Sequence, residues 1–231
     1  MSQTSESKIL KFYRSQTGRK FITGVTGIGL MGFLVVHLAG NLGFFIGADA
    51  VNAYTAKLHS LGPLVVIVEI GLIAIVLFHA ILGISIAQEK KKARPEGYAM
   101  HVSGGAPSRM SPASKSMIWT GVVLLLFIIL HVWQFRFGPH YDTMLPGGVE
   151  PVRDMYKVVV DVFENPLWVA VYMGVMVLLG FHLRHGFWSA FQSIGAMSSR
   201  LSHTMYAAAL FFAILIALGF FVLPLYLHLV P

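Results

Sequence analysis

Cysteine is absent from the 231-residue sequence. The chain therefore forms no disulfide, and it holds neither a thiolate-bound iron–sulfur cluster nor a haem attached through a C-x-x-C-H motif. Any redox cofactor in this chain must be held by other ligands. Histidine is abundant by comparison, with ten residues.

Charged residues are also scarce. Asp, Glu, Lys and Arg make up 12% of the chain, hydrophobic residues make up 56%, and the mean hydropathy is +0.71. Soluble globular domains carry about 25% charged residues, so this chain has too few charges to cover a water-facing surface. The composition predicts an all-α, polytopic membrane protein.

Five apolar runs are long enough to cross a bilayer, which takes roughly 20 helical residues. We predict helices at about 21–48, 61–88, 116–135, 166–192 and 206–230, packed as one membrane domain over residues 21–230. The first run is too long for a signal-peptide core, so we expect it to be retained. Residues 1–20 and the basic loop 89–115 are predicted to be cytoplasmic, and residues 152–164 are predicted to form an outer amphipathic segment.

The net charge is +7, and the basic residues cluster at alternate ends of the predicted spans. We interpret it as membrane topology, with no nucleic-acid partner, because basic residues favour the cytoplasmic side. This places the N-terminus in the cytoplasm and the C-terminus outside. The predicted inner ends hold Lys8, Lys11, Arg14, Arg19, Lys20, Lys90, Lys91, Lys92, Arg94, Arg109, Lys115 and Arg200.

Four histidines lie inside the spans, one on each of the first four helices. Measured from the inner end of each span at 1.5 Å per residue, His37 and His131 lie about 25 Å and about 24 Å deep. His79 and His182 both lie about 15 Å deep. The depths predict two pairs, one joining the first and third spans and one joining the second and fourth.

Such pairs favour two haems b, each held by imidazole nitrogens on both faces of the porphyrin. Zinc prefers three or four ligands that converge on one point, and each depth offers two. The alternative is that each histidine is a core residue satisfied by a hydrogen bond to a neighbouring helix.

The first span also contains a series of glycines. Two interpretations are open: close packing of helices through small residues, and room for a porphyrin beside the backbone. The positions are Gly24, Gly27, Gly29, Gly32 and Gly40.

Four stretches then carry a family resemblance: "VTGIGLMGFLVVH", "FHAILG", "MIWTGVVLLLFIILHVWQF" and "GFHLRHGFWSAFQSIG". The chain resembles, over essentially its whole length, the dihaem cytochrome b membrane anchor of succinate dehydrogenases and fumarate reductases. The resemblance implies five helices enclosing two haems b, in the bacterial cytoplasmic membrane. It also implies a flavoprotein subunit and an iron–sulfur subunit on the cytoplasmic face, and menaquinone as the quinone. A higher oligomer of the complex stays open.

The resemblance assigns His79 and His182 to the proximal haem, nearer the cytoplasm, and His37 and His131 to the distal haem. One departure concerns proton transfer. Some relatives have a glutamate two residues before the inner ligand of the fourth helix and another upstream of the second-helix ligand, where this chain has Gly180 and Asn52. Their proton route is therefore in doubt here.

Glu69 is the one carboxylate inside a predicted span, about 30 Å from its inner edge. An intramembrane acid usually marks a functional site. We predict that Glu69 exchanges a proton with quinone near the distal haem; the alternatives are a structural hydrogen bond and an acid that simply faces the outer interface.

Haem propionates are anionic and need basic or polar partners in a medium of low dielectric constant. Snorkelling to the membrane surface is the alternative role for the cationic candidates. His185 is also a rival to His182 as the iron ligand, although depth and resemblance favour His182. The candidate propionate partners are Arg184, His185, Lys20, Arg19 and Thr23.

Two other functions fit parts of the pattern. A cytochrome b anchor of another respiratory dehydrogenase or reductase also uses paired histidines, and its companion subunits would identify it. A transporter with intramembrane histidines would hold no haem and would be colourless.

Overall fold

The computed structural model describes residues 7–93 and 111–230. Eight α-helices and a short hairpin make up the described part of the chain. A 3-10 turn at Leu42–Phe45 follows the second of these helices. The elements are α1 (Lys8–Arg14), α2 (Gln16–Asn41), α3 (Ala48–His59), α4 (Pro63–Ala93), α5 (Pro112–Arg136), β1 (Asp142–Met144), β2 (Pro151–Arg153), α6 (Met155–Phe163), α7 (Pro166–Ser193) and α8 (Ser199–Leu229).

Five of these helices, α2, α4, α5, α7 and α8, are long and apolar enough to cross a membrane. The predicted fold class, an all-α polytopic bundle of five transmembrane helices, is confirmed. Helix α7 lies at the centre of the bundle, where it packs against α2, α5 and α8. Helix α4 packs at the side, against α2 and α5, and among its side chains Leu82 is buried.

Two spans begin earlier in the chain than predicted, because a serine caps each of them at its predicted inner end. The Ser15 hydroxyl accepts a hydrogen bond from the Gly18 amide and starts α2 at Gln16 rather than near residue 21. The Ser198 hydroxyl does the same for the Leu201 amide, so α8 begins at Ser199 rather than near residue 206.

The inner connection also differs from its predicted bounds. Helix α4 continues to Ala93, and α5 begins at Pro112 behind a capping box in which Ser111 and Ser114 bond to each other's backbone. The middle of the predicted loop 89–115 lies outside the described residues.

Polar connections at the predicted outer end fold into a cap. Helix α2 ends at Asn41, before residue 48, and Gly47, with φ at 135°, precedes α3. Strands β1 and β2 pair antiparallel within the predicted outer loop. The stretch predicted as an amphipathic segment begins within β2 and contains α6, and α6 buries Val158, Val159 and Phe163.

A buried asparagine joins the parts of this cap. The Asn52 amide on α3 donates to the Asp154 carboxylate at 2.9 Å, and its carbonyl accepts from the Tyr156 amide at 3.1 Å. Asp154 in turn caps α6 by accepting from the Lys157 amide. The cap is therefore tied together by hydrogen bonds as well as by apolar packing.

Candidate functional site

The four intramembrane histidines meet in two pairs between helices. The rings of His37 on α2 and His131 on α5 have centroids 5.8 Å apart, with an interplanar angle of 89°. The rings of His79 on α4 and His182 on α7 have centroids 6.4 Å apart, with an angle of 68°. Each pair thus joins two helices that come from different parts of the chain.

The inner pair, His79 and His182, is held by two hydroxyls. The His79 Nδ1 atom lies 3.2 Å from the Thr26 Oγ1 atom of α2. The His182 Nδ1 atom lies 3.2 Å from the Thr120 Oγ1 atom of α5. In both rings Nδ1 is engaged, and Nε2 is the nitrogen left for a metal.

The outer pair, His37 and His131, is packed among aromatic rings instead. The His37 ring stacks on Phe33 at 5.3 Å and lies 5.5 Å from Phe220. The His131 ring lies near Phe127 and Tyr172. Its Nδ1 atom is buried without a hydrogen-bond partner among residues 7–93 and 111–230, so a satisfied core histidine does not describe this residue.

These residues fit bis-imidazole ligation. Two imidazoles that share one metal through bonds of about 2 Å have ring centroids about 6 Å apart, close to both observed separations. In the described ranges, no three His, Asp or Glu side chains converge. The donor sets are therefore pairs, which fit a haem iron with one imidazole on each face, and they do not match the three or four ligands of zinc.

The glycines of α2 divide between the two interpretations. A Cβ atom at Gly24 would lie 3.1 Å from the Ala190 carbonyl of α7, and one at Gly40 would lie 2.8 Å from the Tyr54 ring, so these two glycines permit close packing. A Cβ at Gly29 or Gly32 would meet no atom of residues 7–93 and 111–230 within 4 Å. Packing within the chain therefore does not explain this second pair of glycines.

Glu69 has a partner that the sequence did not suggest. The Arg136 guanidinium on α5 donates to both carboxylate oxygens, from Nε at 2.9 Å and from a terminal nitrogen at 3.3 Å. Both side chains are partly exposed, 37% for Glu69 and 49% for Arg136. The carboxylate is thus paired with a guanidinium and accessible at the predicted outer end of the bundle.

The candidate propionate partners have different surroundings. Arg19 bonds to Glu89 and Ser85 of α4, and the Thr23 hydroxyl donates to the Arg19 carbonyl. Lys20 and Arg184 are exposed. The exposed pair is therefore freer than Arg19 to meet an anion.

Among the described residues, His185 does not join a histidine pair. Its ring lies 6.4 Å from Trp188, whereas the ring of His182 faces His79. Of the two rivals on α7, His182 is the one placed opposite another imidazole.

Arg153 has a partly buried position that was not identified from the sequence. From the outer hairpin it donates to the backbone carbonyls of Phe135 and Pro139, and its Nε atom is buried without a partner in the described residues. Burial and the charge of Arg136 lower the pKa of the Arg153 guanidinium, which still stays protonated at neutral pH. It brings positive charge to the outer end of α5.

The two threonines were also missed, although a sequence signal points to them. Helices α2 and α5 share the pattern T-G-x-x-L-x-x-F-x-x-x-H, in "TGIGLMGFLVVH" and "TGVVLLLFIILH". In each copy the phenylalanine packs against the histidine that ends the pattern. The threonine that begins it contacts an inner histidine on the next long helix.

Comparison with known proteins finds similarity to a respiratory membrane subunit. The chain is similar to the succinate dehydrogenase cytochrome b558 subunit of Bacillus subtilis (strain 168), with 27% identity over 169 residues, which are 73% of each chain. No protein-family model matches the chain, and no solved structure matches it. The five membrane-spanning helices and this similarity agree with the resemblance to cytochrome b membrane subunits of succinate dehydrogenases.

Proposed function

We propose that this chain is the haem-bearing membrane anchor of a succinate:menaquinone oxidoreductase. It connects an iron–sulfur subunit at the cytoplasmic face with a quinone in the membrane, and the same connection serves fumarate reduction in the reverse direction. The flavoprotein partner binds succinate, and this chain does not. The relative's name supports haem b and membership of an oxidoreductase complex.

The pairing of four histidines across four helices carries the proposal. His79 and His182 hold the inner haem b, and His37 and His131 hold the outer one. Haem b bound in this way supplies a one-electron carrier inside the membrane. The protein supplies the ligands, the apolar surroundings that exclude water, and the separation of the two pairs along the bundle.

The separation follows from helix geometry. Thr26, which contacts the inner pair, and His37, which belongs to the outer pair, lie eleven residues apart on α2. At 1.5 Å per residue this is about 16 Å along the helix axis. Thr120 and His131 have the same spacing on α5. Two carriers at these levels span much of a hydrocarbon core about 30 Å thick.

Proton exchange with quinone is assigned to the outer end. The Glu69 carboxylate accepts a proton when quinol is oxidised; in the reverse direction the protonated Glu69 side chain gives its proton to the reduced quinone and returns to the carboxylate that pairs with Arg136. With the N-terminus in the cytoplasm, this end of the bundle faces outward.

A redox titration of the intact complex tests this function. Haem absorbance is recorded while the complex is reduced with succinate, and separately with a potentiostat. We expect low-spin b-type spectra and two one-electron components, at least one of which is reduced by succinate.

Three results would contradict the proposal. A colourless preparation would favour the transporter, and haem with companion subunits of a hydrogenase, formate dehydrogenase or nitrate reductase would favour another respiratory complex. A titration with a single haem component would contradict the assignment of one haem to each histidine pair.

A further inference from the structure

Both imidazoles of the inner pair make the same hydrogen bond to a threonine on a neighbouring helix. We propose that Thr26 and Thr120 are positioning residues that hold His79 and His182 with the proton on Nδ1, so that each Nε2 lone pair faces the iron. This inference rests on the proposed function. It concerns the tautomer and orientation of the two iron-binding histidines, whereas the proposed function concerns their identity.

The direction of the Thr26 hydrogen bond follows from its neighbours. The Thr26 hydroxyl lies 2.8 Å from the Ile22 carbonyl and 3.1 Å from the Thr23 carbonyl, and both of these groups only accept hydrogen bonds. The single hydroxyl proton therefore goes to a carbonyl. The oxygen keeps its lone pairs, and it accepts from the Nδ1–H group of His79 at 3.2 Å.

The other ring nitrogen of His79 is left free by this arrangement. Because neutral imidazole has one N–H group, Nε2 is then an acceptor and a potential metal ligand.

Thr120 repeats the arrangement on α5. Its hydroxyl lies 3.0 Å from the Ser116 carbonyl and 3.1 Å from the Met117 carbonyl, so its proton is also committed to the backbone. Its oxygen accepts from His182 Nδ1 at 3.2 Å. The same proton arrangement thus arises twice, on two helices, from the same two kinds of contact.

The residue after each threonine makes room for the ring. A Cβ atom at Gly27 would lie 3.2 Å from Cε1 of His79, and one at Gly121 would lie 3.4 Å from Cε1 of His182. The Thr-Gly pair therefore does two jobs: the hydroxyl fixes one ring nitrogen, and the missing side chain allows the ring edge to approach the backbone.

The chemical consequence is a more basic ligand. A ligating histidine that donates its other N–H group to an oxygen has a fixed tautomer and orientation, and its metal-binding nitrogen donates more electron density. Greater donation favours ferric over ferrous iron. Loss of the hydroxyl should therefore raise the midpoint potential of the inner haem.

The experiment compares Thr26→Val and Thr120→Val with Thr26→Ser and Thr120→Ser in the full chain, purified as its complex. Valine keeps the shape of threonine without the hydroxyl, and serine keeps the hydroxyl. Thr55→Val is the matched control, because the Thr55 hydroxyl bonds to the Val51 carbonyl in the same local manner and lies on α3 in the outer cap. Potentiometric titration and low-temperature EPR of the ferric haems are the readouts.

We expect each valine variant to favour the ferrous inner haem by about two- to tenfold, the range for one hydrogen bond. A tenfold change is 59 mV for a one-electron couple. The EPR g values of that haem should shift with ring orientation. The outer haem should be unchanged in these variants, and the serine and Thr55→Val variants should match the parent protein.

Two outcomes would overturn the inference. The first is a valine variant that retains both haems with unchanged potentials and g values. The second is loss of the inner haem from the valine and serine variants alike, which would show that the hydroxyl is not what the site requires. Loss from valine with retention in serine supports the inference.

Failure of the proposed function gives a different result. In that case the parent complex itself lacks two bis-imidazole components, before any threonine is changed.

Discussion

The inner and outer histidine pairs use the same side chain in different surroundings. The inner pair meets two threonine hydroxyls and two glycines. The outer pair meets phenylalanine and tyrosine rings, and the buried His131 Nδ1 atom lacks a partner in the described residues. Orientation is set by directed hydrogen bonds at one level and by ring packing at the other.

This difference shows how one helix serves two levels. In α2 and in α5, the T-G-x-x-L-x-x-F-x-x-x-H pattern places a threonine at the inner level and a histidine at the outer level. Each of these helices therefore supports a ligand of a neighbouring helix at one end and supplies its own ligand at the other. A hydrogen bond is sensitive to loss of one atom, whereas aromatic packing distributes the same task over many weak contacts.

The largest expected effect comes from removing one ligand of each pair. His182→Ala should eliminate the inner component from a potentiometric titration of the complex, and His131→Ala should eliminate the outer one, because each iron loses one of two protein ligands. His59→Ala, at the exposed end of α3, is the control. Loss of the same component in both variants would contradict the pairing.

Glu69→Gln should slow quinone turnover by about tenfold while leaving both haem spectra intact, since the amide cannot exchange a proton. Steady-state quinone reduction with succinate measures the effect. Glu150→Gln, on the exposed outer turn, is the matched control. Unchanged turnover would remove Glu69 from the site and leave its ion pair with Arg136 as a structural contact.

Gly27→Ala should perturb the inner haem more than Gly121→Ala. The added methyl group would lie 3.2 Å from the His79 ring in the first case, which forces a displacement, and 3.4 Å from the His182 ring in the second, which is ordinary contact. We expect a few-fold lower inner haem content in Gly27→Ala, with the outer haem retained. Haem-to-protein ratios measure this, and Gly71→Ala, where the methyl group meets nothing, is the control.

The smallest effect is expected in the outer cap. Asn52→Ala leaves Asp154 and the Tyr156 amide without their partner, so we expect a loss of about 1–3 kcal/mol in stability. Thermal unfolding of the complex would show it as a lower transition temperature, with Thr55→Val on the same helix as the control. Because the cap lies at the outer end, any change in haem midpoint potential should affect the outer haem. A changed potential of the inner haem alone would contradict the separation of the two levels.

Local sequence signals predicted the spans because length and hydropathy need no tertiary information. They were weaker where polar side chains decide the structure. Ser15 and Ser198 start helices earlier than hydropathy indicates. Helix α3 was not predicted, because its stability depends on Asn52 bonding to residues about a hundred positions away.

The histidine roles stay predictions, and the structure adds their surroundings. Depth counting grouped His37 with His131 and His79 with His182, and the four rings lie in those pairs. Gly180, where some relatives have glutamate, faces Ala217 of α8 so closely that a Cβ atom would lie 3.2 Å from it. A longer side chain at that position would require the two helices to move apart.

The sequence by itself determined that the chain crosses a membrane five times and that four spans each bring one histidine to a definite depth, because these properties depend on rise per residue and on transfer from water. Only the tertiary structure decided which faces of the helices meet. It placed a threonine hydroxyl on each inner imidazole and Arg136 on Glu69, because such contacts depend on how each helix is rotated and packed against its neighbours.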